Sequence, residues 1–308
     1  MMRKIKNHLD QVRKSLKMRE VEEGYDIYFS RFFGLYIAEI AKALKLTPTQ
    51  VTLMSVISGA IGGLLLYFQG NWVWILVAGF LITLAGLLDS ADGQLARMTG
   101  QSTEFGRILD GAADSIVFIA CYVGATSYYI FNEPNGWWLI PIAMAAGYLH
   151  TLKACVYDFY KSEVLYNVGG FEDYRVESVK EIQDQLGQKK GFQKIMYFLY
   201  TDYLRKQHMG SSRKSHFKKF RTYVVQDATK EAFVESYRNH QIPLLKKWAW
   251  VGGTNVHRWA IILFSLAGRF DVFLWVGLFS SVALLWMNHL QKKADVVVDR
   301  DVTSQSYK

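Results

Sequence analysis

Residues 72–97 read WVWILVAGFLITLAGLLDSADGQLAR, an apolar run that ends at two aspartates. A helix of about 20 mostly apolar residues is long enough to cross the hydrocarbon core of a bilayer. Carboxylates are costly beside hydrocarbon, so ionisable groups at such a position mark a functional site. This stretch therefore predicts a membrane helix that ends in a functional site.

Several other segments have the same apolar character, and they set the fold class. The chain has 308 residues, of which 51% are hydrophobic and 15% aromatic, and its net charge is +9. This balance is typical of a membrane protein with basic loops. We expect an all-α integral membrane protein with six transmembrane helices, at 50–68, 72–89, 105–131, 136–158, 251–268 and 270–290.

The segment before the first of these helices is amphipathic. From Asp26 to Lys42, aromatic and aliphatic residues alternate with Arg31 and Glu39. Such a helix lies in the plane of the membrane interface. The alternative is a soluble helix that packs on the protein's own surface.

Lysine and arginine are distributed unequally among the connecting segments. The connectors 69–71, 132–135 and 268–271 carry few positive charges, whereas the rest of the non-apolar sequence holds most of them. The positive-inside rule then places both termini and the aspartates in the cytosol, and we expect a bacterial inner-membrane protein. The predicted domains are a cytosolic arm with the interfacial helix (1–49), helices one to four (50–158), a helical cytosolic insertion (159–247), helices five and six (248–291) and a cytosolic tail (292–308).

The insertion is basic. Residues 161–247 contain 17 Lys and Arg against 10 Asp and Glu, and 213–221 is the densest part. Such a patch could bind acidic headgroups or a phosphorylated substrate, but a solvated face near anionic lipid is the favoured interpretation. Nucleic acid is not an expected partner, because no recognisable binding module accompanies the membrane helices.

A second aspartate pair follows the first. Asp89 and Asp92 are three residues apart, and Asp110 and Asp114 are four apart, so each pair projects from one face of a helix. Antiparallel helices joined by the short connector 98–104 would bring the pairs together. Four close carboxylates repel one another unless cations are present, and two Mg²⁺ or Mn²⁺ ions would form a two-metal site. Aspartates that only cap helices or form salt bridges are the alternative.

The residues between the two pairs suit a phosphate. Gly93, Ala96 and Gly106 are small enough for close backbone approach, and Arg97 offers a planar fork to phosphate oxygens. Thr103 provides a hydroxyl near a helix start, where free N–H groups attract anions. The stretch therefore predicts transfer of a phosphoryl-type group.

The stretch 89–114 resembles the signature of the CDP-alcohol phosphotransferase family, D-x-x-D-G-x-x-A-R-x(8)-G-x-x-x-D-x-x-x-D, at every fixed position. The resemblance covers roughly 25–158, weakens across the insertion and returns in the last two helices. One departure is Thr49, because Asn commonly follows the proline that is Pro48 here.

The resemblance implies the reaction and the role of each motif residue. An alcohol attacks the β-phosphate of a CDP-linked donor and CMP leaves. Asp89, Asp92, Asp110 and Asp114 would be metal ligands, with Asp114 also the general base. The CDP would contact Asp89, Asp92, Gly93, Ala96, Arg97, Thr103 and Gly106. The resemblance further implies a homodimer in contact with membrane lipids.

The acceptor alcohol is less well defined. Polar residues in helices four and five could bind it, namely His150, Lys153, His257 and Arg258. Snorkelling or helix–helix hydrogen bonds are the alternative for each of them. We expect CDP-diacylglycerol as donor and slightly favour an inositol phosphate-like acceptor. The alternatives are a transferase of a CDP-linked choline or ethanolamine headgroup to a lipid alcohol, a cation transporter, or a membrane scaffold that presents the insertion.

Overall fold

The computed structural model describes residues 12, 18–101, 103–211 and 217–305, and the regular elements in these ranges are all helical. This confirms the all-α fold class. The α-helices are α1 (Arg31–Ala43), α2 (Pro48–Leu65), α3 (Trp72–Thr99), α4 (Glu104–Asn132), α5 (Leu139–Asn167), α6 (Val179–Leu186), α7 (Gly191–Gly210), α8 (Phe217–Val225), α9 (Asp227–Gly252), α10 (Thr254–Leu266), α11 (Phe270–Phe279) and α12 (Val282–Gln305).

Five helical stretches in the described ranges are long and apolar enough to cross a membrane. They are Pro48–Phe68, Trp72–Thr99, Phe105–Asn132, Gly136–Asn167 and Phe270–Ser304. The predicted fifth span falls on α10, which has 13 residues because the backbone is extended at Gly253. At about 1.5 Å per residue, α10 is shorter than the roughly 30 Å hydrocarbon core. The count of six therefore stays a prediction.

Local capping sets the ends of the helices that carry the aspartates. Thr47 and Gln50 form a capping box at the start of α2, and Pro48 occupies its first turn. Gly100, which is left-handed (φ +66°), ends α3, and the Thr103 hydroxyl accepts a hydrogen bond from Gly106 N at the start of α4. These caps make the short α3–α4 connection that places the two aspartate pairs side by side.

Helices α2, α3 and α4 pack closely around this connection. A Cβ atom on Gly63 would lie 2.6 Å from the backbone nitrogen of Cys121, so the approach of α2 to α4 requires glycine at this position. The close packing brings Thr52 of α2 against Asp92 of α3.

The amphipathic segment begins with a π-helical turn, Asp26–Ser30, and continues as α1. The buried face of α1, including Ala38 and Ala41, packs on Leu88 and Ala91 of α3. Its other face exposes Tyr36, Ile40 and Leu44. α1 therefore packs on the protein and also presents an apolar face to its surroundings. Its place in the membrane interface stays a prediction.

The insertion shares a core with the membrane helices. Side chains from α5, α9 and α12 form one buried cluster that includes Val156, Tyr160, Phe233, Tyr237, Trp248, Met287 and Val298. The insertion is helical, with α6, α7 and α8 inside it, and α9 continues past the predicted domain boundary at 247 to Gly252. The insertion is therefore built onto the rest of the protein.

Part of the basic patch is internal. Phe220 is fully buried, Arg221 forms an ion pair with Glu163 at 2.8 Å, and Lys219 pairs with Asp299 at 2.7 Å. Residues 212–216 lie outside the described residues. Lys219, Phe220 and Arg221 thus have partners within the protein. A solvated face near anionic lipid stays a prediction for the rest of the patch.

Candidate active site

Three of the four aspartates converge where α3 meets α4. Carboxylate oxygens of Asp89, Asp92 and Asp110 all lie within 4.8 Å of one another. Thr52 Oγ1 donates a hydrogen bond to Asp92 Oδ2 at 2.5 Å, which orients this carboxylate. Oxygen donors at this separation fit a hard divalent cation such as Mg²⁺ or Mn²⁺. The residues present therefore fit the expected metal.

Asp114 lies outside this group of three. It is one helical turn beyond Asp110 on α4, and its Oδ1 is 3.5 Å from Nη2 of Arg258. Arg258 is held in turn by Asn255, whose Oδ1 accepts a hydrogen bond from Nη1 at 3.3 Å. A Cβ on Gly86 would overlap the Arg258 guanidinium, so glycine at 86 makes room for this contact.

A large outer cavity of about 1650 Å³ opens beside the carboxylates. Nearly all residues expected to contact the CDP line it, namely Asp92, Gly93, Ala96, Arg97, Thr103 and Gly106, together with Thr49 and Thr52. Asp89, which belongs to the carboxylate cluster, does not line it. The Thr103 hydroxyl already accepts a hydrogen bond from Gly106 N, so it is a helix cap as well as a wall of the cavity.

The insertion forms the opposite wall of the outer cavity, at Tyr174 and Arg175. It is fixed there by Glu177, whose Oε1 is 2.5 Å from Nη1 of Arg107. Tyr200 of α7 donates a hydrogen bond to Glu177 Oε2 at 2.8 Å. Burial and the charge of Glu177 raise the pKa of the Tyr200 hydroxyl, which therefore stays protonated as a donor.

A smaller inner cavity of about 380 Å³ lies on the far side of the cluster. Both cavities are lined by Asp92, Gly93, Arg97, Asp110 and Tyr174, so the two cavities meet at these residues. Asp89, Asp114, His150 and Arg258 line only the inner one.

Two of the expected acceptor residues are directed elsewhere. Lys153 is buried, and its Nζ donates hydrogen bonds to Gly277 O at 3.3 Å and Ser280 Oγ at 3.0 Å, near the end of α11. His257 stacks on His150 with ring centroids 4.2 Å apart, and its Nδ1 is 3.0 Å from Gly253 O. Of the four expected residues, His150 and Arg258 line the inner cavity.

The inner cavity is also lined by charged residues beyond the four expected to bind the acceptor. Glu22, Glu23, Asp26 and Arg31 of the N-terminal segment line it, together with Asp158 and Lys161 of α5. For the residues of the N-terminal segment the only sequence signal was the high charge density there, which is equally typical of a solvated arm. For Asp158 the signal was its place on the same face of helix four as His150.

Comparison with known proteins identifies the domain that holds the site. Residues 45–168 match the family described as CDP-alcohol phosphatidyltransferase, and this match includes the whole aspartate motif. Residues 45–168 belong to the CDP-alcohol phosphatidyltransferase family. The resemblance drawn from the motif is confirmed.

Curated relatives carry the same CDP-alcohol phosphatidyltransferase domain. A phosphatidylinositol phosphate synthase of Corynebacterium glutamicum is 34% identical over 123 residues, which cover 38% of this chain and 50% of that protein. A CDP-diacylglycerol–glycerol-3-phosphate 3-phosphatidyltransferase of Salmonella choleraesuis is 34% identical over 30% of this chain and 47% of that protein. An Aquifex aeolicus protein, a bifunctional IPC transferase and DIPP synthase, is 26% identical over 47% of this chain and 30% of that protein.

The chain thus spans half or less of the length of these relatives. The arm before residue 45, the insertion and α10–α12 lie outside the matched CDP-alcohol phosphatidyltransferase domain. Both cavities nevertheless take part of their walls from these outer segments.

Proposed function

We propose that this protein is a metal-dependent phospholipid synthase that transfers a phosphatidyl group from CDP-diacylglycerol to a polar alcohol and releases CMP. The observation that carries the proposal is the position of Asp89, Asp92 and Asp110, which lie within 4.8 Å of one another at the boundary between two cavities. Such a boundary allows a donor on one side and an acceptor on the other.

The outer cavity is the proposed donor site. Arg97 lines it with Gly93, which leaves the backbone accessible to a pyrophosphate. The cluster lies at one end of α3 and α4, which are apolar enough to cross a membrane. A donor with a nucleotide headgroup and acyl chains could thus occupy the outer cavity and the bilayer together.

Asp89, Asp92 and Asp110 would hold the divalent cation, and two Mg²⁺ or Mn²⁺ ions are expected. When bound, the metal supplies charge neutralisation at the pyrophosphate and a better leaving group in CMP. Arg97 would contribute a further positive charge on the same side.

Asp114 is the proposed general base. It projects into the inner cavity, while its ion pair with Arg258 fixes its orientation. It would accept the hydroxyl proton as the acceptor oxygen bonds to the β-phosphorus and the bond to CMP breaks. In this scheme Arg258 is a positioning residue for Asp114, and Asn255 holds Arg258.

The names of two relatives support a phosphorylated acceptor, whereas the aspartate motif itself says little about the acceptor alcohol. Two of the relatives are named for inositol phosphate or glycerol-3-phosphate products and substrates. The side chains expected to bind an acceptor phosphate are occupied, however: Lys153 by Gly277 and Ser280, and Arg258 by Asp114 and Asn255. A transferase of a CDP-linked amino alcohol headgroup is the second candidate, supported by the acidic character of the inner cavity described below.

We place the enzyme in a bacterial inner membrane with the site facing the cytosol, as a homodimer. The basic segments on the side of the cluster support this orientation through the positive-inside rule. The relatives named above are bacterial proteins.

Metal binding and turnover test the roles of the aspartates separately. We expect Asp110→Asn to weaken Mn²⁺ binding, measured by calorimetry on the purified protein, and to abolish CMP release. Asp114→Asn should lose CMP release but keep Mn²⁺ binding, because Asp114 is paired with Arg258. Asp184→Asn, at an exposed position on α6, is the matched control and should change neither quantity. CMP release that persists in EDTA, or in Asp110→Asn, would contradict the proposal.

A further inference from the structure

The inner cavity has an excess of negative charge beyond the metal cluster. Apart from Asp89, Asp92, Asp110 and the shared Arg97, it is lined by more carboxylates than cations. The carboxylates are Glu22, Glu23, Asp26, Asp114 and Asp158, and the cations are Arg31, Lys161 and Arg258. A cavity of this composition is unfavourable for a second anion.

The three cations already have carboxylate partners. Arg31 Nη2 is 2.5 Å from Glu22 Oε1, and Lys161 Nζ is 3.6 Å from Glu22 Oε2. Arg258 pairs with Asp114. Glu22 thus pairs with two of the three cations, and Asp114 pairs with the third. Little positive charge remains for an acceptor phosphate.

Glu23 and Asp26 both accept hydrogen bonds from the neutral side chain of Asn255. Asn255 Nδ2 donates hydrogen bonds to Asp26 Oδ1 at 2.8 Å and to Glu23 Oε2 at 3.3 Å. Tyr157 donates a third, to Glu23 Oε1 at 3.0 Å. Burial, and then the charge of Asp26, raise the pKa of Glu23, so a positive charge brought to this pair would be stabilised.

His150 gives an independent indication of a ligand in the same cavity. It is 2% exposed, and neither ring nitrogen has a hydrogen-bond partner. Phe118 and His257 hold the ring, with centroids 4.3 Å and 4.2 Å away. A buried polar group without a partner costs free energy, and a polar substrate in the cavity would supply the missing hydrogen bond.

These groups are connected to the proposed base. Arg258 bridges Asp114 and Asn255, and Asn255 in turn contacts Glu23 and Asp26. A reacting oxygen at Asp114 and a positive charge at the acidic pair would therefore lie at two ends of one small compartment.

We propose that the inner cavity binds a small amino alcohol, with its ammonium group against Glu23 and Asp26, its oxygen towards Asp114 and a further hydrogen bond to His150. This inference rests on the two candidate functions above, which share the transfer to an alcohol with release of CMP, and it names their substrate class. The same chemistry has two sources, a free amino alcohol acceptor or the headgroup of a CDP-linked donor.

With a free amino alcohol, the hydroxyl oxygen forms a bond to the β-phosphorus of CDP-diacylglycerol as the bond to CMP breaks. The hydroxyl proton passes to Asp114, and CMP leaves with the bonding electron pair. With a CDP-amino alcohol, a diacylglycerol hydroxyl makes the same attack. Ethanolamine in either arm yields phosphatidylethanolamine and CMP.

The test is CMP release by the purified full chain with Mg²⁺ in detergent micelles. One arm supplies CDP-diacylglycerol with ethanolamine, choline, serine, myo-inositol phosphate, glycerol 3-phosphate or glycerol. The other supplies CDP-ethanolamine with diacylglycerol. We expect CMP release with an amino alcohol substrate in one of the two arms. The KM for that substrate should rise about tenfold in Glu23→Gln and in Asp26→Asn.

Glu20→Gln is the matched control, because Glu20 lies on the same segment in a half-exposed ion pair with Arg238 and does not line the cavity. A second readout keeps the test independent of folding. In the free-acceptor arm, Glu23→Gln should leave the KM for CDP-diacylglycerol unchanged while that for ethanolamine rises.

The possible results distinguish a failure of the amino alcohol inference from a failure of the proposed function. Turnover only with phosphorylated or uncharged acceptors overturns the inference and leaves the proposed function intact. An unchanged amino alcohol KM in both variants also overturns it. CMP release only from CDP-ethanolamine would support the inference and contradict phosphatidyl transfer in favour of the second candidate function. No CMP release with any pair of substrates would contradict both candidate functions.

Discussion

At the scale of single residues, the glycine at position 93 is explained by the proposed donor site and not by the packing of the fold. It lies inside α3 and lines both cavities, and a Cβ there would meet only Arg97 Nη1, at 3.5 Å. The fold therefore has room for alanine at this position. The reason for glycine is the space that a phosphate requires beside the backbone.

We expect Gly93→Ala to keep or raise the melting temperature, because alanine in a helix is favoured by about 1 kcal/mol over glycine. The KM for the CDP-linked donor should rise about tenfold or more as the methyl group displaces it. Gly147→Ala is the matched control, since its Cβ would also meet its nearest neighbour, Tyr122, at 3.5 Å. An unaltered donor KM in Gly93→Ala would remove Gly93 from the donor site.

The motif was sufficient to predict that Asp89, Asp92 and Asp110 meet, because a short connector and helical spacing define their positions. It did not predict that Asp114 pairs with Arg258 instead of joining this group. It was not sufficient for Thr52, which contacts Asp92 from a third helix. Nor could it predict the direction of Lys153, since a side chain on a largely buried helix can face several neighbours. Its partners, Gly277 and Ser280, are more than 100 residues away.

At the scale of elements, the N-terminal segment is tied to α5 by Glu22. Its carboxylate contacts both Arg31 and Lys161, and it is almost completely buried. Burial alone would raise the pKa of Glu22, but the charges of Lys161 and Arg31 overcome this and lower it. A carboxylate with a lowered pKa stabilises the fold above its ordinary pKa and loses that contribution as the pH falls through its folded-state pKa.

We therefore expect Glu22→Gln to lower the free energy of unfolding at pH 7 by about 3 kcal/mol. The difference from wild type should be full above pH 4.5, the ordinary glutamate pKa, and should shrink at lower pH as the wild-type carboxylate is protonated. Thermal unfolding in detergent across a pH series measures this. Glu20→Gln, in its half-exposed pair with Arg238, should have a small effect at every pH. A Glu22→Gln deficit that does not change with pH would show that lost packing, not charge, is responsible.

Helix ends were predictable wherever a cap is local. Thr47, Asn71 and Thr103 each precede a helix and accept a hydrogen bond from its first turn. The start of α10 could not be predicted, because an apolar run gives no sign that the backbone will be extended at Gly253. At that position a Cβ would come too close to the carbonyl oxygen of Ala249.

At the scale of the whole molecule, the two cavities depend on segments far apart in the chain. The insertion closes the outer cavity through Glu177 and Arg107, and the N-terminal segment closes the inner one. Sequence patterns predicted the helices of both segments but not these contacts, because pairing over such distances depends on the assembled fold. The shared core of α5, α9 and α12 likewise joins segments that are far apart in the chain, so sequence patterns did not predict it.

Membrane topology can be tested with single cysteines and an impermeant maleimide on intact cells, since native Cys121 and Cys155 are buried. We expect Asn71→Cys and Asn135→Cys to react from outside, and Gln183→Cys on α6 to react only after permeabilisation. Arg269→Cys should also react from outside if α10 completes a sixth crossing. Labelling of Gln183→Cys in intact cells would reverse the proposed orientation.

The central claim is that the carboxylate cluster and Asp114 carry out phosphatidyl transfer from a CDP-linked lipid, and CMP release from CDP-diacylglycerol tests it most directly. With Mg²⁺ and the acceptor panel, we predict acceptor-dependent CMP release by the wild type. In Asp114→Asn that release should fall by about 100- to 10 000-fold, the usual loss on removing a general base, at unchanged Mn²⁺ affinity. Equal CMP release by wild type and Asp114→Asn would contradict the account.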